Sequence, residues 1–132
     1  DVYLVTFLLK NKKWVKKMRK VLTLKKNYEF KNVMQKGKYF VKKHVIVYIN
    51  KNRINKNVIG VAVSTKACNA VKRNRIKRVI REVFYMENKN IKQGYNIVFV
   101  WNKKENPDNI NFSIMYNEIN ETFREANIIE KD

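Results

Sequence analysis

The sequence is poor in the residues that build disulfides, metal sites and nucleophilic catalytic pairs. Cys68 is the only cysteine and His44 the only histidine among 132 residues. A disulfide within the chain is therefore impossible, and a zinc finger lacks its ligands. With one residue of each type, a Cys/His nucleophile pair would be a coincidence. The lone thiol fits a reducing compartment, so we expect a cytoplasmic location.

Acidic residues are also scarce, and they are unevenly placed. The chain has 30 Lys and Arg against 11 Asp and Glu, for a formal net charge of +19. Residues 2–104 hold 28 of the bases and only three acids, a net of +25, whereas seven acids follow from Glu105 onwards. This excess predicts a polyanionic partner, either nucleic acid or the less favoured anionic membrane surface. We expect the first hundred residues to bind it.

No apolar run is long enough to cross a bilayer. Val2–Leu9 is the most apolar stretch near the start, and a spanning helix needs about 20 such residues. Its charges follow the apolar stretch, which is the reverse of the order in a secretory signal. We interpret residues 1–17 as a disposable extension or an upstream start, with a membrane-surface anchor as the alternative. Residues 18–132 are then one domain.

The rest of the chain alternates between helical and extended patterns. Apolar residues make up 45% of the composition, which suffices for a modest core. Asn27 is placed to cap a short helix that ends at Gly37, and residues 39–49 alternate as a strand does. The nearly continuous apolar run Val58–Val63 predicts a central strand that is buried on both faces.

A second series of elements follows in the last half of the chain. We expect a long helix over about Ala70–Met86, a strand over Tyr95–Trp101, and a final helix that Pro107 and Asp108 open. The predicted order is α-β-β-β-α-β-α. This order indicates an α+β fold, a two-layer α/β sandwich with one main sheet.

The long helix carries the densest charge. Residues 69–82 read NAVKRNRIKRVIRE, and a helical wheel gathers the apolar residues of 76–84 into one arc. Asn74, Lys77, Arg78 and Arg81 fall opposite that arc, with Lys72 and Arg75 toward one edge. Arg dominates, and its planar guanidinium binds phosphate with two parallel hydrogen bonds. An ordinary solvated basic face is the alternative, although it would usually intersperse acids, and only Glu82 follows Arg78 at the i+4 position.

The segment Gly60–Phe84, GVAVSTKACNAVKRNRIKRVIREVF, resembles the ribonuclease P protein family. That family has a strand followed by the signature Lys-x-Gly-x-Ala-Val-x-Arg-Asn-x-x-Lys-Arg-x-x-Arg. Ala70-Val71, Arg73-Asn74-Arg75, Lys77-Arg78 and Arg81 fall in place, and the resemblance extends over roughly residues 18–126. Two residues depart from the pattern, because Cys68 replaces the usual Gly and Thr65 a common Lys.

The resemblance implies a fold, a partner and a reaction. The fold is similar to the second domain of ribosomal protein S5, with a left-handed crossover between two parallel strands. The implied partners are the ribonuclease P RNA and precursor tRNA, without a membrane or any required protein partner. The RNA removes the 5′ leader with Mg²⁺ that it largely holds itself, so the protein subunit binds no metal alone and has no catalytic residue. In agreement, the basic region lacks the clustered carboxylates of a metal-dependent nuclease.

Two sets of binding residues follow from the resemblance. The set expected to dock on the catalytic RNA comprises Lys72, Arg73, Asn74, Arg75, Lys77, Arg78 and Arg81. The set expected to bind the leader comprises Phe30, Met34, Tyr48, Lys66 and Asn69.

Each assignment has a structural alternative. Phe30 and Met34 fit a core stripe, Tyr48 a half-buried strand position, and the other two leader residues a solvated loop. Cys68 is expected to be a small packed residue and His44 a surface strand residue. A ribosomal or ribosome-assembly protein is the rival function, and a protein-only nuclease is the third.

Overall fold

The computed structural model describes residues 21–130, which form one mixed five-stranded sheet with three α-helices. In chain order the elements are β1 (Leu22–Thr23), α1 (Asn27–Lys36), β2 (Lys38–Val41), β3 (Val45–Lys51), β4 (Val58–Ala62), α2 (Ala70–Asn88), β5 (Tyr95–Trp101), a 3-10 turn (Pro107–Asn109) and α3 (Phe112–Glu125). The predicted α+β fold is confirmed, with the two-residue β1 as an addition. The interpretation of residues 1–17 concerns a segment outside the described range. Within that range no helix combines the length and apolar character needed to cross a membrane.

The strands lie in the order β1-β4-β5-β3-β2. The seven-residue β5 occupies the centre because it pairs along its length with antiparallel β3 and parallel β4. The prediction that Val58–Val63 forms a central strand buried on both faces is confirmed, since β4 lies between β1 and β5 and its consecutive residues Ile59, Gly60 and Val61 are all buried. The neighbouring parallel strands β4 and β5 are joined through α2, as a parallel pair requires. The left hand of this crossover stays a prediction.

The main core lies between one face of the sheet and the helices α2 and α3. Val45 and Val47 on β3 point into it, as does Phe99 on β5, and all three are fully buried. The Phe99 ring meets Phe84 of α2 and Phe123 of α3 edge-on, at centroid distances of 6.2 and 6.4 Å. Such edge contacts add to the free energy gained by burying the rings. The position of α2 is therefore fixed by its apolar side.

Helix α1 covers part of the opposite sheet face. Its Val33 is 1% exposed and lies outside the main core cluster, as does the buried Val98 of β5. Val98 alternates with Ile97 and Phe99, which belong to the main core, so it points to the other face. The sheet thus separates α1 from α2 and α3.

The starts of two helices differ from the predictions. Lys26, not Asn27, precedes the first helical residue of α1, and its backbone N–H donates to Glu29 Oε1 at 3.1 Å. Pro107 and Asp108 open a separate 3-10 turn, whereas Asn111 caps α3 by accepting from the Ser113 N–H at 2.8 Å. Because Asn111 starts a new helix only four residues after Pro107, the 3-10 turn and α3 are separate elements.

His44 is buried, which corrects the expectation of a surface strand residue. It lies in the turn between β2 and β3, with Nδ1 2.6 Å from Glu118 Oε2 of α3. Its backbone N–H donates to the other oxygen of Glu118 at 2.9 Å, and its ring lies 5.9 Å from that of Trp101. A histidine with a carboxylate partner is buried without an unsatisfied polar atom, which the alternation of the strand could not indicate.

Glu82 is also buried, so it does not screen the basic face as the i+4 spacing suggested. Its side chain is 0% exposed, and neither carboxylate oxygen has a hydrogen-bond partner among residues 21–130. Burial raises the pKa of Glu82 to about 6, against the opposing effect of Arg78. The charged form of this residue therefore destabilises the folded state.

We expect the Glu82→Gln variant to lose one component of the pH dependence of stability. The folded state holds the Glu82 proton more tightly than the unfolded state, whose pKa is near 4.5. The free energy of unfolding should therefore fall as pH rises from 4.5 to about 6. A neutral Gln removes this fall, which amounts to about 2 kcal/mol. Denaturant unfolding of both proteins on either side of the interval measures the difference, and parallel pH profiles would contradict the assignment.

Candidate nucleic-acid interface

Helix α2 presents its basic residues because the other side is anchored on the sheet. Ile76, Ile80 and Val83 are each 0% exposed. The helix begins with Asn69, whose side chain accepts a hydrogen bond from the Lys72 N–H at 2.9 Å. Asn69 therefore has a structural role as the N-cap, a use that its sequence position could equally have indicated.

The exposed side of α2 carries Asn74, Arg75, Arg78 and Arg81. In the part of the chain that the structure describes, no acid pairs with Arg75 or Arg81. Arg78 Nε lies 3.9 Å from the buried Glu82 Oε1, a separation beyond hydrogen-bonding distance. These guanidiniums are open to a polyanion, as the sequence predicted.

Two other predicted RNA contacts are already engaged by the protein. Lys72 Nζ lies 3.1 Å from Asp108 Oδ1 in an exposed ion pair, which is worth little and which phosphate can displace. Arg73 Nη1 donates to the Cys68 carbonyl at 2.6 Å and so ties the preceding loop to the helix. The half-buried Cys68 packs against the main core, as predicted for a small residue.

Lys77 lies on the flank of α2 rather than opposite the apolar arc. Together with Arg81 it lines a groove on the α1 side of the sheet. The two side chains reach that side because β1 pairs only with Val58 and Ile59, which leaves the second half of β4 without a strand on its outer edge within residues 21–130. Helix α2 thus places positive charge on both sides of the sheet along the outer edge of β4.

The groove has a volume of about 810 Å³ and combines apolar and basic walls. Phe30 and Met34 of α1 line it, and Met34 is 38% exposed. The alternative interpretation as core is therefore wrong for Met34, whereas Phe30 is half-buried over the sheet and Val33 is fully buried. The residues around them are Lys31, Ile46, Ala62, Val100 and Lys103. An apolar floor with cationic edges can bind a base on the floor and phosphates at the rim.

Gly60 of β4 allows Phe30 to approach the sheet. A Cβ at this position would lie 2.5 Å from Phe30 Cε1 and 2.8 Å from Cζ. The residue is buried beneath the ring, so the groove depends on its lack of a side chain. Sequence reasoning missed this role, although a glycine inside an apolar strand is a recognised sign of close approach.

Two other predicted leader contacts, Tyr48 and Lys66, do not line the groove. Tyr48 lies on the same sheet face, two residues after Ile46, and is half-buried. Lys66 is exposed in the turn of residues 65–67 that leads to α2. The structure therefore brings Phe30 and Met34 together in the groove. Tyr48 extends this surface along the sheet, and Lys66 lies outside it.

A second cavity of about 510 Å³ lies on the opposite sheet face, between β2 and the end of α3. Glu125 lines it and, with Glu121, binds Lys42 Nζ at 2.7 and 3.1 Å. Burial opposes the charge of Lys42, but these two hydrogen bonds outweigh it and raise the pKa of the amine. Lys36, Lys38 and Lys51 also line this cavity, so it is not acidic, but Glu121 and Glu125 are already bound to Lys42 beside it. Within residues 21–130 no group of three or more His, Cys, Asp or Glu could hold a metal ion.

The fold and the groove define a small basic α/β domain that is built to bind RNA. A family model described as Ribonuclease P matches residues 18–127. The chain belongs to the ribonuclease P protein family.

Individual relatives agree with this assignment. The chain is 39% identical over 113 residues to the ribonuclease P protein component of Clostridium kluyveri, which covers 84% of this chain and 94% of that protein. A solved Staphylococcus aureus RNase P protein is 28% identical with a TM-score of 0.71, over 84% of this chain and 100% of that one. The Thermotoga maritima RNase P protein, at 24% identity, has the same fold with a TM-score of 0.70 over 83% and 98% of the two chains.

We expect Gly60→Ala to destabilise the domain by about 1–3 kcal/mol, as extra methyl groups in packed sites do. The added methyl would displace the Phe30 ring from the floor of the groove. In a Phe30→Ala background the same change should cost much less, because the clash is gone. Chemical denaturation of the four proteins of this double-mutant cycle measures the coupling. An equal cost in both backgrounds would show that the ring does not depend on Gly60.

Proposed function

We propose that this chain is the protein subunit of a ribonuclease P ribonucleoprotein, which helps a catalytic RNA remove the 5′ leader from precursor tRNA. The observation that carries the proposal is the groove in which Lys77 and Arg81 of α2 meet Phe30 and Met34 of α1. Its chemistry suits an unpaired nucleotide strand, and its continuation onto the exposed side of α2 suits a folded RNA. Family membership supports both partners.

The exposed side of α2 docks on the ribonuclease P RNA in this proposal. Arg75, Arg78 and Arg81 bind phosphates that crowd together in the folded RNA, and Asn74 lies among them. Lys72 exchanges Asp108 for phosphate, and Arg73 keeps the loop in place through its bond to Cys68. Neutralised phosphates repel one another less, so the RNA holds its folded active site more readily and binds magnesium there more tightly as an indirect result.

The groove and the adjoining sheet face bind the leader. Aromatic and apolar side chains can stack on any base, at about 1–3 kcal/mol per base, so the site tolerates leaders of different sequence. Phe30, Met34 and Tyr48 supply these surfaces, and Lys66 contacts a phosphate from the loop. Because mature tRNA lacks a leader, this contact favours the substrate over the product.

The RNA performs the chemistry, with Mg²⁺ that it mainly holds itself. Phosphodiester hydrolysis by a protein would need carboxylates clustered at the scissile bond. The three acids of residues 21–104 are not so placed: Glu82 and Glu87 are buried, and Glu29 is bound to the start of α1. The proposal requires no further protein partner and no membrane, and it places the reaction in the cytoplasm.

Reconstitution tests the proposal. Added to a bacterial ribonuclease P RNA at low magnesium, the protein should stimulate precursor tRNA cleavage, because its charge replaces part of the ionic requirement. Activity should disappear when the RNA is digested with micrococcal nuclease. Cleavage that survives this treatment would support a protein-only nuclease. Absence of stimulation together with binding to ribosomal RNA would favour the ribosomal rival.

We expect the Arg75→Ala/Arg81→Ala variant to bind the ribonuclease P RNA more weakly and with less salt dependence. Each lost phosphate contact should reduce the slope of log affinity against log salt by about 0.7–0.9. Both side chains are exposed, so the fold should be unchanged. Lys56→Ala/Lys89→Ala is the matched control, since it removes the same charge from exposed residues beyond the row. An equal loss in the two variants would contradict a specific docking side.

A further inference from the structure

The face of β2 that adjoins the leader groove carries large exposed apolar side chains. Tyr39 is 67% and Val41 64% exposed, although both belong to a regular strand. They point to the same side of the sheet as Ile46 and Tyr48, because Tyr39 pairs with Tyr48 and Val41 with Ile46 in the register of β2 and β3. An exposed cluster of this kind usually marks a binding surface.

This surface is continuous with the groove. Ile46 lines the groove beside Met34 and is the cross-strand partner of Val41. From there the aromatic surface runs to Tyr48 and on to Tyr39, whose ring centroids lie 6.2 Å apart with a 43° tilt. A strand that leaves the groove over Ile46 therefore meets two rings in succession.

We infer that Tyr39 provides an additional base-stacking position, which extends the leader-binding surface by one nucleotide beyond Tyr48. The inference rests on the proposed function and specifies how long a leader the site can bind. Paired aromatic residues on adjacent strands stack successive bases in other sheet proteins that bind single-stranded RNA. The 6.2 Å between the ring centroids exceeds the roughly 3.4 Å rise of stacked nucleotides, so the two bases belong to an extended strand.

The charge around β2 selects RNA over a second protein chain. Lys31 and Lys103 line the groove that adjoins this face, and Lys38 lies on β2 itself, with its side chain toward the other face of the sheet. The outer edge of β2 is also the edge of the sheet, where another strand could pair. Lysines on an edge strand oppose such pairing with a second copy, because the charges repel, whereas they attract phosphate.

The acids of α3 do not cancel this charge. Glu121 and Glu125 bind Lys42, which alternates with Val41 and therefore points to the other face of the sheet. Phe40 also points to that face, where it packs against the main core. The tyrosine face of β2 is left apolar, and the lysines of the adjoining groove supply positive charge beside it.

Substrate binding by the reconstituted holoenzyme tests the inference. Precursor tRNAs whose leaders lengthen one nucleotide at a time are titrated against wild type, Tyr39→Ala and Tyr39→Phe. For wild type, affinity should rise with leader length to a plateau. Tyr39→Ala should reach its plateau one nucleotide earlier, with a loss of about fivefold or more on long leaders. Tyr39→Phe should match wild type, because it retains the ring.

Two further variants make the outcome specific. Tyr28→Ala removes a tyrosine that is 60% exposed and lies outside the groove, so it should bind every leader as wild type does. Tyr48→Ala should weaken binding at shorter leader lengths than Tyr39→Ala. If Tyr48→Ala has an effect and Tyr39→Ala has none, the inference is overturned and the proposed function stands. If neither has an effect at any length, the leader-binding part of the proposed function fails as well.

Self-association provides the remaining outcome. If Tyr39→Ala changes the oligomeric state of the free protein and leaves the leader dependence unaltered, the β2 face is a contact between protein chains, and the inference is overturned. Sedimentation of the wild type and Tyr39→Ala in the absence of RNA makes this measurement.

Discussion

Burial of one side of α2 against the sheet is the constraint on which the binding surface depends. Ile76, Ile80, Val83 and Phe84 are fully buried, and this packing fixes both the position and the rotation of the helix. A helix that rotated freely would present its arginines in many directions, and ordering them would cost conformational entropy on binding. Because packing against the core already orders the helix during folding, less entropy is lost when the guanidiniums bind RNA.

The acids of α3 and the unpaired cations of the binding surface lie in different parts of the molecule. The acids of α3 bind Lys42 and His44 on the side away from the groove. The side that carries α1 has lysines and apolar residues, and the short β1 leaves room for Lys77 and Arg81 to reach it. The acid-rich last part of the described chain therefore serves stability around α3, while the α1 face and the exposed side of α2 keep their excess positive charge. Since folding brings His44 against Glu118, 74 residues later in the chain, the sequence alone could not show this division.

The sequence was most informative where a pattern repeats over several turns or strands. The basic helix, the strand over residues 95–101 and the order of the elements could be predicted because many residues contribute to each. The misplaced residues depend on single contacts between distant parts of the chain. Glu82 is buried because distant parts of the chain pack around it, which its neighbours in sequence do not indicate. His44 can be buried because it binds the carboxylate of Glu118, 74 residues later in the chain. Lys77 was assigned to the side opposite the apolar arc, although a helix of 3.6 residues per turn places it only about 100° from Ile76, on the flank. That this flank faces a groove depends on where a neighbouring strand ends, which the sequence does not show. The role of Gly60 likewise depends on a ring from another element, and the short β1 has too few residues to produce a pattern.

The same excess of charge also couples stability to binding. A domain that holds so many cations with few acids repels itself in the folded state, and this repulsion lowers its free energy of unfolding at low salt. The chain counters it mainly with a compact apolar core and places its ion pairs away from Arg75 and Arg81, where acids would compete with phosphate for the guanidiniums. Any RNA that binds the folded domain removes the repulsion and adds its own binding free energy to stability. The scarcity of acids therefore lowers the stability of the free protein and raises the stabilisation that a bound polyanion gives it.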